Sequence, residues 1–145
     1  LLRRVVGCSG RAWFVSHWWG ERILDFCSCV KHHLWTRSLP EDTTSFWVCA
    51  YANRQHSLDQ DLKPNPKECS FYKAMEVVGF KVLLILDSNA TALRRIWCCF
   101  EEAMCVDQDD LPLDIATQGC SGPCLITSGF TMDEERMETL KEARE

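Results

Sequence analysis

The residues best suited to chemistry lie in the stretch RRIWCCFEEAM, residues 94–104. On a helix turning about 100° per residue, Leu93, Ile96, Trp97, Phe100, Ala103 and Met104 share one broad apolar face. Arg94, Cys98, Glu101 and Cys105 form a stripe along its edge, while Arg95 and Glu102 point to water. Glu101 then sits one turn after Trp97, at the margin between core and solvent. A carboxyl group there is partly desolvated and held by its neighbours, which raises its pKa. The plain alternative is a boundary glutamate paired with Arg94 or another base. A second pairing joins His17, at the end of WFVSH, to Cys49 in FWVCAYA. A thiol within hydrogen-bond reach of a histidine is activated for nucleophilic attack, although the apolar residues around Cys49 also suit a core thiol.

Other chemistries find little support. Neither GCSG (residues 7–10) nor GCSGPC (119–124) matches a dinucleotide fingerprint or a phosphate loop, which argues against a dehydrogenase or an NTPase. CSC and CSGPC miss the usual C-x2-C pairs, and His32 and His33 offer no clean complement, so no metal site is expected. The net charge of -5, with no run of more than two basic residues, gives no footprint for nucleic acid. No apolar run reaches the roughly 18–20 residues of a membrane span. The ten cysteines, several in apolar stretches and with no secretory signal in view, fit a reducing, intracellular setting. LLRRVV lacks an initiating Met, as a fragment of a longer chain would.

The elements that must position Glu101 follow from periodicity. AWFVSHWW (12–19) reads as a strand buried on both faces. Apolar residues at 23, 24, 26, 27, 30, 34 and 35 predict a helix with one buried face. FWVCAYA (46–52) predicts the second strand, and NRQHSLDQDLKPNPKEC a long loop of the kind that often carries function. SFYKAMEVVG predicts a helix capped by Ser70 and stopped by Gly79, and KVLLILD (81–87) a strand. A helix opened by Ser88, Asn89 or Thr91 follows, then short strands at LDIAT and CLITS. The last segment, 131–145, reads as a helix opened by a Thr131/Glu134 capping box. This alternation predicts a parallel α/β sheet with helices on both faces. Its ligands would bind beyond the carboxyl ends of the strands, at residues 16–19, 53–56 and 87–89.

KVLLILDSNATALRRIWCCFEE resembles the strand-loop-helix segment of TIR (Toll/interleukin-1 receptor) domains, whose helix carries a W-C-x-x-E motif matched by Trp97, Cys98 and Glu101. WFVSHWWGE resembles that family's first strand. SHWWG is also similar to the start of fungal heterokaryon-incompatibility (HET) domains. RRI replaces the Ser many TIR sequences carry before the Trp, and the loop after the second strand lacks the usual glycine. The resemblance implies a flavodoxin-like, TIR-like domain over residues 12–130, after a lead-in at 1–11 and before the helix at 131–145. It further implies a cytoplasmic signalling or innate-immunity domain that self-associates or binds other TIR-like domains. Catalytic members hydrolyse NAD+ at the nicotinamide–ribose bond, so Glu101 becomes the catalytic candidate. Trp18, Trp19 and Trp97 become candidates for stacking on substrate, and Ser16, His17, Asn53, Arg54, Gln55 and His56 for polar contacts. NAD+ or a related nucleotide would be a substrate, with no cofactor. Two alternatives remain: a non-catalytic interaction module, and a caspase-like cysteine hydrolase using His17 and Cys49.

Overall fold

The computed structural model describes residues 12–52, 65–106 and 112–126. Five strands form one sheet in the order β2-β1-β3-β4-β5. They are β1 (Ala12–His17), β2 (Ser45–Val48), β3 (Val82–Leu86), β4 (Leu113–Gly119) and β5 (Gly122–Leu125). The helices are α1 (Ile23–Thr36), α2 (Cys49–Ala52), α3 (Ser70–Val78) and α4 (Ile96–Val106). The first four strands are mutually parallel, with β1 lying between β2 and β3. β5 runs antiparallel to β4, where a parallel sheet was expected. Only two residues, Cys120 and Ser121, join β4 to β5, and so short a connection cannot make a parallel crossover. Pro123 is tolerated in β5 because that strand is at the sheet edge.

The pleat of β1 divides the core into two layers. Ala12 and Phe14 pack with Cys69, Phe71, Met75, Val78 and Cys105, from α3, its N-cap and α4. Trp13 and Val15 pack with Phe26 and Cys29 of α1. Phe14, Val15, Val82, Leu83 and Ile85 have no exposed surface. Burying each such side chain contributes about 1.5–3 kcal/mol. Helices therefore cover both faces. Among the described residues, no helix is long and apolar enough to cross a membrane.

Four local expectations change. β2 stops at Val48, and Cys49–Ala52 form a helical turn instead of further strand. Cys69, not Ser70, is the N-cap of α3, while Gly79 ends that helix in the left-handed region at φ 68°. On α1 the buried residues are Phe26, Cys29 and His33, whereas Ile23, Leu24 and Trp35 are exposed. The segment after β3 is not one helix. Thr91–Arg94 is a 3-10 turn, and Arg95 is extended before α4 begins. Asp87 anchors that turn, accepting from the Thr91 amide at 2.6 Å and the Thr91 hydroxyl at 2.7 Å. The predicted helix at 131–145 lies outside the described residues.

At the amino end of the sheet, Asp114 of β4 is buried against α1. His33 Nε2 lies 2.9 Å from its Oδ2, and Arg37 donates to both of its carboxylate oxygens. The Arg37 guanidinium is held above its ordinary pKa by that contact. Trp13 meets the His33 ring edge-on at 4.4 Å.

Candidate functional site

The strand order sets the place of the site. β1 connects through α1 to β2 on one side, and β3 connects through α4 to β4 on the other. The two helices lie on opposite faces, so a crevice opens beyond the carboxyl ends of β1 and β3. A cavity of about 210 Å³ lies at the carboxyl ends of β1 and β2, lined by His17, Trp18, Trp19, Cys49, Phe71, Arg95, Trp97, Cys98 and Glu101.

Glu101 projects from the second turn of α4 and is only 2% exposed. The helix is turned relative to the expected wheel. Its buried residues are Cys98, Glu101 and Cys105, while Leu93 and Ile96, expected in the core, are exposed. Glu101 therefore lies inside the protein and not at the solvent margin. Among the described residues, no Lys, Arg or His forms an ion pair with it. Burial pushes its carboxyl pKa up to about 8; Ser16 pulls it partly back and Glu102 pushes it further. The Ser16 hydroxyl, fully buried on the same side of β1, acts on Glu101 and Cys98 but is too loosely placed to make a geometrically good hydrogen bond. The Glu102 carboxyl is raised to about 7 by its own burial. The expectation that Glu102 points into water is therefore replaced by a half-buried side chain.

Aromatic rings make the walls. Trp97 stacks on Phe71 at 5.5 Å with 12° between planes. Phe71 meets Trp47 edge-on, and Trp47 in turn stacks on Phe14. This chain of rings ties α4 and α3 to β2 and β1. Trp19 is 46% exposed, and its indole N–H donates to Cys49 Sγ at 2.9 Å. Trp18 folds back over Gly20, where a Cβ would overlap the ring. Glycine at position 20 lets that tryptophan lie close to the backbone.

Of the expected site residues, Glu101, His17, Trp18, Trp19 and Trp97 line one cavity, and Ser16 lies behind Glu101. The His17 ring is packed on Phe26 at 4.8 Å, with Nδ1 3.7 Å from Glu21. Among the described residues, neither ring nitrogen has a hydrogen-bond partner. His17 and Cys49 are not hydrogen-bonded to each other. The Cys49 thiol is pushed up to about 12, chiefly by burial and then by Glu101, with the Trp19 N–H opposing. Cys98 is raised to about 11 by burial, and its thiol faces the His17 carbonyl at 3.7 Å. Asn53, Arg54, Gln55 and His56 lie outside the described residues.

Arg95 and Phe71 line the cavity without having been singled out in the sequence. A continuous wheel turns Arg95 outward, and only the break before α4 brings it to the mouth. Phe71 carries no polar atom to mark it. No family model, no curated protein and no solved structure matches this chain.

Proposed function

We propose that this chain is a TIR-like signalling domain of flavodoxin type that hydrolyses NAD+ at the nicotinamide–ribose bond, with Glu101 as the catalytic carboxylate. One observation carries the reading. A buried carboxyl group with no basic partner among the described residues opens onto an aromatic-lined cavity at the carboxyl end of β1. The strand order β2-β1-β3-β4 and the Trp97–Cys98–Glu101 spacing support the kinship.

The chemistry follows from charge. The nicotinamide ring of NAD+ is a cation, and Trp18, Trp19, Trp97 and Phe71 offer ring faces and edges to it. A positive charge beside Glu101 favours its ionised form, so the substrate itself drives the proton off. The C1′–N bond breaks with its electron pair leaving on nicotinamide, which departs neutral. The ribose becomes oxocarbenium-like, and the adjacent carboxylate stabilises that charge. Water adds to C1′ and loses a proton, giving ADP-ribose.

Incubation with NAD+ and chromatographic detection of nicotinamide tests the reading. Release is expected from the wild-type chain and a loss of at least about 100-fold from Glu101→Gln, the scale of removing one charge-stabilising group. Absence of release, or full release by Glu101→Gln, overturns it. The exposed apolar residues Ile96, Trp35 and Leu24 favour a second reading, a non-catalytic interaction module. Concentration-dependent self-association without nicotinamide release would support that one. The cysteine-hydrolase reading has little to stand on, since a thiol with its pKa near 12 is not an activated nucleophile.

A further inference from the structure

The cavity brings a carboxyl group and a guanidinium into one space. Glu101 is deep and buried, while Arg95 is exposed and lines the same space. Among the described residues lining it, Arg95 is the only basic one apart from His17. Its guanidinium makes no ion pair among the described residues, in contrast to Arg22 with Asp25 and Arg37 with Asp114. The backbone explains how it reaches the mouth. Arg95 is extended, at φ -104° and ψ 121°, between the 3-10 turn and α4. Its carbonyl accepts from Cys99 N at 3.0 Å, which makes it the residue that opens the helix. The amides of the first turn of this 11-residue helix have no intrahelical acceptors and add positive potential on that side.

Volume adds a second constraint. Pockets that enclose a whole drug-sized ligand run to about 300–1,000 Å³, and this one offers about 210 Å³. It holds part of a dinucleotide, and the rest must leave through the mouth. A cationic ring drawn in toward Glu101 leaves its ribose 5′ side, which carries phosphate, pointing outward.

We propose that Arg95 is a positioning residue that binds the phosphate of the entering nucleotide, so that the cavity selects a ligand with a cationic base inside and an anionic phosphate at the rim. This inference rests on the NAD+ reading for the base, but the anion site follows from Arg95 alone. A planar guanidinium that makes no ion pair among the described residues suits bidentate contact with phosphate oxygens.

Two measurements test it on wild type, Arg95→Gln and Arg95→Lys. Because Arg95 is exposed, the variants are expected to fold. The first is equilibrium binding of inorganic pyrophosphate. The second is steady-state KM and kcat for nicotinamide mononucleotide and nicotinamide riboside, which share the scissile bond and differ by one phosphate. Arg95→Gln is expected to weaken pyrophosphate binding by about tenfold or more, the scale of a lost charge-assisted contact. It should raise KM for the mononucleotide similarly, with kcat and both riboside constants unchanged. Arg95→Lys should recover part of the loss. The assignment is overturned if wild type does not bind pyrophosphate, if Arg95→Gln binds it equally well, or if both substrates suffer alike. Arg95-dependent pyrophosphate binding with no turnover of either substrate would uphold the anion site and sink the NAD+ reading. Turnover unaffected by Arg95→Gln would do the reverse.

Discussion

Two buried carboxyl groups sit at opposite ends of the same sheet in opposite circumstances. Asp114, at the amino end, is 1% exposed and is held by Arg37 and His33. Glu101, at the carboxyl end, is 2% exposed, has no base beside it among the described residues, and opens on a cavity. Desolvation is costly for both charged forms. At Asp114 the cost is offset by a guanidinium and an imidazole, which also tie α1 to β4. At Glu101 only Ser16 offsets part of it among the described residues, and the carboxyl group responds by holding its proton. The first arrangement serves the fold. The second leaves a protonated carboxyl group open to the cavity, as the proposed NAD+ site requires.

This contrast predicts effects of opposite sign. Asp114→Asn should be the most damaging, because Arg37 and His33 lose their anionic partner; a loss of about 1.5–3 kcal/mol is expected in urea unfolding at pH 7, since the half-exposed Arg37 can be solvated. A change below about 1 kcal/mol would show that the cluster is not structural. Glu101→Gln should stabilise the protein at alkaline pH. The folded pKa of about 8 lies above the ordinary 4.5, so the folded state binds the proton more tightly. The stability linked to that proton is fully present below about pH 4.5 and is lost as pH rises through 8. Wild type should therefore weaken from pH 5 to pH 9. Glu101→Gln should lack most of that decline and gain roughly 2–4 kcal/mol at pH 9. Equal pH dependence in the two proteins would remove the contrast. The smallest effect concerns Cys49, whose thiol, pushed up to about 12, stays protonated near neutrality. Its alkylation at pH 8 should be slower than that of the exposed Cys27, measured by mass spectrometry.

The sequence carried the sheet well and the helix phase poorly. KVLLILD and AWFVSHWW are dense in apolar residues because both faces of β1 and β3 are covered, and that density is visible without coordinates. The end of β2 is hidden in the sequence because the apolar run continues past Val48 into the turn of α2, where Cys49 is also buried. The phase of α4 is hidden because hydrophobicity alone places Leu93 and Ile96 inside, whereas both are exposed. The 3-10 turn and the extended Arg95 shift the phase, and the sheet-facing stripe is two thiols and a carboxyl group. α1 shows the same thing, since its most deeply set polar residue, His33, is inside only because Asp114 receives it. A buried polar side chain has no signature in hydropathy; its partner lies about eighty positions away in the chain. Glu101 was singled out by its wheel position and then by the resemblance of its motif, while the fact and depth of its burial came from the coordinates.

The most direct test is the ionisation of Glu101 in the ligand-free protein. The ¹³C chemical shift of its side-chain carboxyl, assigned with Glu101→Gln and followed from pH 4 to pH 10, reads it. A midpoint near 8 is expected. A midpoint at the ordinary carboxyl value of about 4.5 would mean that the group is solvated or paired, and would contradict the account of a buried carboxyl group awaiting a cation.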